Sequence, residues 1–388
     1  MFKIINTDKY DSLVERILYC SYFVYQFMFL LHVSSLNQAV KSFDLFTTVS
    51  IIISFAIILL IDLYYFLRGK YNFREIIIYG IVGIFLLISL YNYRDVMVAV
   101  NLFAIMAFKN ANPYKALKLY LIATIIGMIC VFLISIFTPY TSNDVQIRYG
   151  TERIRYGLGF YYATFVAHYL FSILLVFLIV CKNIKLYHYL IFAILNIVIF
   201  ILTDTKAPFV YIWMIIIIHI VLTRIKNDFL INFYKLLTIL SYPVLSLVTI
   251  ILSLYYDSSN SFMNIFNKIL TGRLSLTHNA LEICGYKLFG QTVGIWGDGF
   301  YIDSSFVNML VLNGLIVFII SIALMTIFSY MSAKNENIPL MIALSFFALR
   351  SAFDWGFMAL QMTPVVIMFY NELERYKLIK GNGYVKTN

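Results

Sequence analysis

The sequence predicts an all-α polytopic membrane protein with about twelve transmembrane helices. Of its 388 residues, 62% are hydrophobic and 18% are aromatic, whereas only 12% are charged. A soluble core cannot bury that much apolar surface. Apolar runs of the roughly 20 residues that one bilayer-spanning helix needs recur along nearly the whole chain. These observations exclude a soluble globular protein.

The apolar runs predict a single integral membrane domain over residues 1–388, with mostly short polar linkers. Two linkers are longer, 139–158 and 255–304. The first apolar run is interpreted as a span, because it lacks the short hydrophobic region and the cleavage site of a signal peptide. The predicted spans are 14–34, 45–67, 75–91, 95–109, 117–138, 159–181, 187–203, 207–223, 234–254, 305–329, 338–352 and 356–371.

Basic residues predict the orientation of the spans, because cytoplasmic loops retain an excess of Lys and Arg. With the N-terminus inside, most of the 29 basic residues lie in cytoplasmic segments. Both termini are therefore predicted to be cytoplasmic, and the loops 139–158 and 255–304 to be extracytoplasmic. The formal net charge of +10 follows from this asymmetry and indicates no nucleic-acid binding.

The basic residues predicted to lie outside are mostly arginines, whereas lysines predominate inside. The planar guanidinium of arginine binds oxyanions through two parallel hydrogen bonds and keeps its charge. An arginine-rich outer side therefore indicates a phosphorylated, extracytoplasmic ligand. The outside residues are Lys41, Arg94, Arg148, Arg153, Arg155, Lys206, Lys268, Arg273, Lys287 and Arg350.

The segment IRYGTERIRYG (147–157) places three of those arginines in the first long outer loop. Arg148 and Arg155 are hypothesised to bind a diphosphate, with the glycines letting the backbone approach it. The alternative is a solvated ladder, since Arg148, Glu152 and Arg155 have helical i, i+4 and i+7 spacing. In that alternative the tyrosines of the segment are aromatic residues of the membrane interface.

The loop 255–304 carries a second set of candidates. Its segment NSFMNIFNKIL (260–270) has apolar residues at i, i+3, i+4, i+7 and i+8, which predicts a short amphipathic helix in the membrane interface. Farther on, His278 and Glu282 are spaced to share a helix face, where a carboxylate can orient and polarise an imidazole. A polar face turned to water is an equal alternative on spacing alone.

A glycine-rich stretch follows and leads to Asp303 at the start of the next span. Its spacing matches no phosphate-binding loop, so it is interpreted as a flexible connection. The four cysteines are scattered and lack metal-ligand spacing, which predicts packing cysteines rather than a zinc site or a disulfide framework. No Asp-x-Asp metal motif and no Rossmann-like pattern is present, which argues against a nucleotide-sugar donor.

Several segments together have the layout of a known enzyme family. They include Arg273 in a long outer loop, the run KLFG (287–290) and the segment YIDSSFVNMLVLNGLIVF (301–318) before a late span. Arg148 and Gly159 have an Arg-x10-Gly spacing. With these features the chain resembles, in topology over nearly its whole length, the Wzy-type repeat-unit polymerases of O-antigen, capsule and exopolysaccharide pathways. The related lipid-linked ligases share this layout.

Three positions depart from the family pattern. The segment LTDTKAPFV has Thr205 and Lys206 where the family tends to have Ser-Arg. The planar guanidinium of arginine is thus replaced by the ammonium group of lysine, which is a point charge. Arg273 and Gly285 are separated by eleven residues instead of the family's usual ten. Where the ligases tend to have a histidine before the late span, this chain has Asp303, which favours a polymerase over a ligase.

The resemblance implies a GT-C-like fold and transfer of a growing glycan from a polyprenyl diphosphate, such as undecaprenyl diphosphate, onto a lipid-linked repeat unit. Arginines would stabilise the leaving diphosphate without a metal or another cofactor, and a base would take the proton of the acceptor hydroxyl. The candidate catalytic residues are Arg273, His278, Asp303 and Glu282, and the candidate substrate-binding residues are Arg148, Arg155, Lys206, Arg94 and Arg350.

The expected location is a cell membrane, with the active site on the extracytoplasmic side. The expected partners are a polyprenyl-diphosphate-linked oligosaccharide, the lipid bilayer, a flippase and a chain-length regulator, but no nucleic acid.

Two alternative functions remain open. A ligase would join finished glycan to another acceptor with the same chemistry. A transporter or flippase of lipid-linked oligosaccharide would place ionisable residues near the bilayer midplane and show repeated halves. Here no convincing repeat is present, and charges cluster at the outer ends of spans, as at 94–95, 204–206 and 350–354. His168 and His219 lie within spans and are typical of packed core histidines.

Overall fold

The computed structural model describes residues 7–93, 97–138, 143–148, 151–225, 227–293, 301–356 and 359–381. Helix accounts for 81% of it, and one two-stranded hairpin is present. The elements of the first part are α1 (Thr7–His32), α2 (Ser35–Ala39), α3 (Lys41–Leu67), α4 (Phe73–Tyr93), α5 (Met97–Ala107), α6 (Pro113–Phe137), β1 (Asn143–Arg148) and β2 (Thr151–Tyr156). They continue as α7 (Thr164–Val180), α8 (Leu186–Thr203), α9 (Lys206–Ile220), α10 (Asp228–Leu254), α11 (Ser261–Ile269), α12 (Arg273–Cys284), α13 (Ser305–Asn308), α14 (Leu315–Lys334), α15 (Ile338–Phe353) and α16 (Phe369–Gly381).

Seven helices within the described residues are long and apolar enough to cross a membrane, namely α3, α4, α6, α8, α9 with the π-helical turn that extends it to Ile225, α10 and α14. The helices α7 and α15 are apolar but shorter. Fewer than half of the residues in the most apolar stretch of each long helix are buried, and in α4 only 11% are. Water-soluble monomers rarely expose apolar surface on that scale, whereas lipid tails accommodate it. The architecture is that of an all-α membrane protein.

Several predicted spans agree closely with observed helices; 45–67 and 187–203 correspond to α3 and α8. The predicted span 95–109 contains α5, whose described residues are followed by a 3₁₀ turn at Phe108–Asn110. One predicted span differs. The predicted span 356–371 is not one helix, because a 3₁₀ turn at Pro364–Met368 precedes α16. The number of about twelve spans therefore stays a prediction.

The chain forms two compact units, each assembled from two segments. Unit 1 comprises Met1–Lys70 and Phe103–Val221, and unit 2 comprises Tyr71–Leu102 and Leu222–Asn388. The single membrane domain over residues 1–388 stays a prediction.

Unit 1 is built around α1 and α7. The helix α1 packs against α3 and α6, and α7 packs against α6, α8 and α9. Tyr22, Tyr120 and Tyr169 are fully buried in this packing. The side chain of Gln26 donates a hydrogen bond of 3.1 Å to Thr124 Oγ1. Because lipid offers no partner for such groups, this bond between α1 and α6 favours their association.

Polar contacts within unit 1 join loops that the orientation rule places on the same side. The backbone N–H of Ser35, which follows α1, donates to the carbonyl of Gly159 at 2.8 Å. Both loops are predicted to be extracytoplasmic. Lys70, which follows α3, pairs with Asp11 near the N-terminus at 3.0 Å, and both are predicted to be cytoplasmic. The contacts agree with the alternation of the predicted spans, while the absolute orientation stays a prediction.

The loop 139–158 contains a β-hairpin instead of a helix. The strands β1 and β2 pair antiparallel, with Arg148 opposite Thr151. The interpretation of a helical ladder is therefore wrong, because successive residues of a strand alternate between its two faces. By register alone, the positions of Arg148 and Arg155 belong to one face of the hairpin, and that of Glu152 belongs to the other.

Unit 2 is built around α10, which packs along α14 and α15, while α4 and α16 pack against α14. Near the start of α10, Lys235 pairs with Glu336 of the connection between α14 and α15 at 2.7 Å. The short helix α12 packs against α10 near its end. The helix α10 is thus the element on which both the late helices and the long loop are assembled.

The helix α11 lies where the sequence predicts a short amphipathic helix. Its apolar side chains Phe262, Ile265 and Ile269 are 70%, 60% and 69% exposed. Exposure of this apolar face is what a helix in the membrane interface would have. Its placement in the interface stays a prediction.

The run KLFG contacts the start of α14 through two glycines. The N–H of Leu315 donates to the carbonyl of Lys287 at 2.9 Å. A Cβ on Gly290 would lie 2.2 Å from the carbonyl oxygen of Leu312, and one on Gly314 would lie 2.2 Å from the backbone nitrogen of Gly290. Both glycines also have positive φ values. The two family-like segments of the long loop and the late span are therefore in direct contact.

Candidate functional site

The helix α12 carries three of the candidate residues and is fixed at both ends. Gly272 and Gly285 flank it with φ values of 86° and 59°, which glycine adopts at little cost. Ser253 Oγ, near the end of α10, donates to Thr277 Oγ1 at 2.8 Å. The buried residues of α12 are Leu274, Thr277, Ala280 and Leu281.

Arg273, at the start of α12, is the centre of an ionic cluster. Its Nη1 lies 2.8 Å from Asp354 Oδ1, and its Nε lies 3.6 Å from Asp303 Oδ2. The side chains of Asp354, Arg273 and Asp303 are 5%, 22% and 41% exposed. A buried carboxylate needs a nearby cation, so the contact with Asp354 holds the guanidinium in place. The side chain of Arg273 is still partly exposed.

Asp354 is a member of this cluster that the sequence did not single out. It follows α15, and its carbonyl accepts a hydrogen bond of 2.5 Å from Ser305 Oγ at the start of α13. The available signal was the spacing of Arg350 and Asp354 at the end of a span, noted only as a group of charges. Burial and the pairing with Arg273 could not be read from that spacing.

Arg350 is also a predicted substrate ligand, but it is only 3% exposed. Its Nη2 donates to the carbonyl of Trp355 at 3.0 Å, and its Nη1 to that of Met362 at 3.5 Å. A Cβ on Gly356 would lie 2.8 Å from Nη2, so the backbone closes over the guanidinium. Arg350 therefore holds the chain that follows α15, and its burial argues against direct contact with a substrate.

His278 has a fixed ring orientation. Its Nδ1 lies 2.9 Å from the carbonyl oxygen of Ser253, which only accepts, so Nδ1 carries a proton. In the neutral ring, Nε2 then bears the lone pair that a general base needs. Nε2 lies 3.6 Å from Glu282 Oε2, and Glu282 is 72% exposed. The pairing indicated by their helical spacing is therefore present.

Arg155, the predicted diphosphate ligand of the hairpin, is 8% exposed and connects β2 to the turn between α8 and α9. Its Nε donates to the carbonyl of Thr203 at 2.7 Å, and its Nη2 donates to Thr205 Oγ1 at 3.1 Å. Thr203 ends α8, where carbonyl groups lack partners within the helix. Two N–H groups of the guanidinium are thus engaged by the protein itself.

The remaining predicted ligands divide as follows. Lys206 is the exposed first residue of α9. Arg148 ends β1, but its side chain lies outside the described part of the structure, as does Arg94 entirely. The structure brings Arg273 to Asp303 and His278 to Glu282 in unit 2. In unit 1 it brings Arg155 to the turn that precedes Lys206.

Metal ligands are not clustered in the part of the chain that the structure describes: no group of three or more His, Cys, Asp or Glu side chains is placed to hold an ion. The four cysteines are free. The chemistry that the described site residues offer is charge stabilisation by the guanidinium of Arg273 and proton transfer at the imidazole of His278.

Comparison of the chain with protein-family models, with curated proteins and with solved structures gives no match. The functional interpretation therefore depends on the chain's own residues and on their geometry.

Proposed function

We propose that the protein is a polysaccharide polymerase that transfers a growing glycan from polyprenyl diphosphate to a lipid-linked repeat unit at the outer face of a cell membrane. The observation that carries the proposal is the position of Arg273. Its guanidinium pairs with Asp354 at 2.8 Å, and its side chain is 22% exposed. It lies beside the end of a long apolar helix, α10, to which α12 is attached. A fixed, accessible cation beside membrane helices suits the diphosphate of a lipid carrier.

The proposed reaction moves a glycosyl group between two lipid carriers. A hydroxyl oxygen of the acceptor sugar forms a bond to the anomeric carbon of the donor glycan, and the bond from that carbon to the diphosphate oxygen breaks. The bonding electron pair leaves with polyprenyl diphosphate, and the proton of the acceptor hydroxyl passes to a base. Arg273 would stabilise the charge that develops on the leaving oxygen.

His278 is the proposed base. Its Nδ1 is held by the carbonyl of Ser253 at 2.9 Å, which leaves Nε2 to accept the proton. Glu282, at 3.6 Å from Nε2, would stabilise the imidazolium that forms. Asp303 ranks below His278, because its carboxylate faces Arg273 and helps to position that guanidinium.

Arg155 and Arg350 have a different part in the proposal. Both are buried, and both donate hydrogen bonds to backbone carbonyls. Within unit 2, Arg350 is a positioning residue for the chain that follows α15 and carries Asp354, whereas Arg155 holds the hairpin to the α8–α9 turn within unit 1. The outer location of these loops rests on the distribution of basic residues between the two sides.

The test uses the purified full-length protein in lipid nanodiscs, with lipid-linked repeat units isolated from a host that cannot polymerise them. We expect the wild-type protein to produce a ladder of lengthened glycans. Arg273→Ala should lower the rate by about 10²–10³-fold, as loss of one oxyanion-stabilising donor does. Arg273→Lys should recover only part of the rate, because the ammonium group of lysine is a point charge and lacks the two parallel N–H donors of the guanidinium. Lys268→Ala, which removes an exposed cation from α11, is the matched control and should behave as wild type.

The same assay separates the alternative functions. A ligase would leave the repeat units single and would transfer glycan only when a different acceptor is added. A flippase would move labelled repeat units across a vesicle membrane without joining them. Absence of any glycan product with the wild-type protein, under conditions where it is folded, would contradict the proposed polymerase.

A further inference from the structure

A polar cavity of about 340 Å³ lies within unit 1, where the first turns of α1 meet the end of α3 and the turn before α6. This volume is at the lower end of ligand pockets, which typically measure about 300–1,000 Å³. Neither the sequence motifs nor the proposed chemistry at Arg273 uses this cavity. All six residues that line it have polar side chains, namely Asp11, Ser12, Glu15, Tyr65, Lys70 and Asn110.

The loop after α3 is fastened to the other walls of the cavity. Lys70 Nζ lies 3.0 Å from Asp11 Oδ2, and Tyr64 OH donates to Asp11 Oδ1 at 3.2 Å. Lys109 Nζ, in the turn before α6, donates to the carbonyl of Lys70 at 3.0 Å. Both carboxylate oxygens of Asp11 are therefore engaged, whereas Lys70 uses one of its three N–H donors on Asp11 and its side chain is 41% exposed.

Two lining residues keep unused polar atoms. Glu15 is half-buried, and its Oε1 accepts hydrogen bonds from Tyr19 OH and from the N–H of Asn112. Among the described residues, Glu15 Oε2 has no hydrogen-bond partner and the carboxylate has no ion pair. Tyr65 is only 2% exposed, and in the same part of the chain its hydroxyl has no hydrogen-bond partner. Polar groups in such positions cost free energy until a ligand satisfies them.

The charges of the cavity select a ligand that carries both signs. The carboxylate of Glu15 favours a cation, whereas the free N–H donors of Lys70 favour an anion. Lys70 would repel a bare metal ion, and Glu15 would repel a bare phosphate. The cavity lies at the ends of α3 and α6, which are long and apolar enough to cross a membrane. A phospholipid headgroup with both charges is therefore a ligand within reach.

We propose that the cavity binds a phosphoethanolamine group, as carried by phosphatidylethanolamine. The ammonium would donate hydrogen bonds to Glu15 Oε2 and to the hydroxyl of Tyr65, and the phosphate would accept from Lys70. A bound headgroup would join the start of α1 to α3 and to the turn before α6, and would stabilise unit 1 by mass action. The inference goes beyond the proposed polymerase function and does not depend on it.

Three phospholipids with the same acyl chains separate the parts of the headgroup. Phosphatidylethanolamine has a phosphate and an ammonium with three N–H donors. Phosphatidylcholine keeps both charges but has no N–H donor, and phosphatidylglycerol keeps the phosphate but has no cation. Binding of each lipid to the delipidated full-length protein in detergent is measured by native mass spectrometry. Phosphatidylethanolamine should bind about 10- to 100-fold more tightly than the other two, the value of hydrogen bonds to a charged group.

Three substitutions test the assigned contacts. Glu15→Gln should abolish the preference for phosphatidylethanolamine, because the amide has no charge to attract the ammonium. Tyr65→Phe should weaken phosphatidylethanolamine binding by about 2- to 10-fold, as loss of one hydrogen bond does. Lys70→Gln should weaken all three lipids by a similar factor, because they share the phosphate. Tyr187→Phe in α8 and Glu374→Gln in α16 change exposed residues away from the cavity and should match wild type.

Equal affinity of the wild-type protein for the three lipids would overturn the proposal, as would an unchanged preference in Glu15→Gln. Tyr65→Phe removes only a hydroxyl without a partner among the described residues, so it tests the cavity even where Glu15→Gln unfolds. Wild-type binding by Tyr65→Phe would also overturn the proposal. Soluble glycerophosphoethanolamine presents the same group without acyl chains and should compete only at much higher concentration; competition as strong as that of the lipid would overturn the assignment to a membrane lipid.

Discussion

Replacing Arg273 with Met removes the cation that faces Asp354 and keeps a side chain of similar length. Asp354 is 5% exposed and lies 2.8 Å from Nη1 of Arg273, so its carboxylate would stay buried without this cation. Removing one partner of a buried ion pair costs about 3–5 kcal/mol. Because Arg273 is itself 22% exposed, water can reach the carboxylate, and we expect the lower end, about 3 kcal/mol.

A second substitution in the same chain, Asp354→Leu, removes the charge that Arg273 compensates. Replacing both members of a buried pair by apolar side chains is often neutral for stability. The double variant should therefore regain most of the stability that Arg273→Met loses. The coupling energy of the two positions should lie at about 1–3 kcal/mol, as for side chains in direct contact.

The assay is thermal unfolding of the purified protein in detergent, followed by tryptophan fluorescence. For domains of about 150–250 residues, 1 kcal/mol shifts Tm by about 2–4 °C, so Arg273→Met should lower Tm by about 6–12 °C. Polymerisation by the same samples separates the two roles of the guanidinium. The double variant is expected to be stable and still inactive, because the diphosphate has lost its cation.

Two results would refute this reasoning. An unchanged Tm for Arg273→Met would show that the contact with Asp354 does not stabilise the fold. Wild-type polymerisation by the double variant would show that Arg273 acts only on the fold and not on the diphosphate.

Three further predictions address the topology, the glycine contact and the hairpin. Single cysteines at Ser142 and Ser259, in a background without native cysteines, should react with an impermeant thiol reagent in intact cells, because both loops are predicted to face outward; labelling only after lysis would reverse the orientation. Gly290→Ala should lower the stability by about 1–3 kcal/mol more than Gly272→Ala, since both have positive φ but only the first Cβ would overlap backbone atoms; equal Tm values would contradict the close contact. Arg155→Lys should destabilise the protein by about 1–3 kcal/mol, because lysine keeps the charge but not the two fixed hydrogen bonds to the α8–α9 turn; an unchanged Tm would argue against that anchoring role.

The long helices were the part of the fold that the sequence could predict. A bilayer requires an apolar run of definite length, so hydropathy alone located α3, α6, α8 and α10 to within a few residues at most ends. The prediction failed where an apolar run of sufficient length does not form one continuous helix. Residues 356–371 are apolar but contain a 3₁₀ turn at Pro364–Met368, because proline and the preceding turn interrupt a continuous helix.

The hairpin was missed because charge spacing was given more weight than the alternation of apolar residues. Val145 and Ile147 alternate with polar residues in β1, as Ile154 and Tyr156 do in β2. This period of two predicts strands and was the available signal. The charged residues of this segment also fit the spacing of a helix, and a short charged segment can fit that spacing by chance.

The site residues could be named individually, but not their partners. Arg273 and Asp354 come from α12 and the end of α15, and only the fold brings them together. His278 and Glu282 were paired because a single helix fixes their spacing.

An excess of arginine on the predicted outer side has two physical explanations, of which the proposed phosphate binding is only one. Arg155 and Arg350 are buried, and each donates two or more hydrogen bonds to protein acceptors near helix ends. A rigid guanidinium has several N–H donors and can form hydrogen bonds with acceptors that lie in different directions. An ammonium group is more strongly hydrated, so burying it costs more free energy. Arginines of this kind would be enriched whether or not a diphosphate binds. The enrichment therefore supports the proposed phosphorylated ligand mainly through Arg273, whose guanidinium pairs with a carboxylate and whose side chain is still partly exposed.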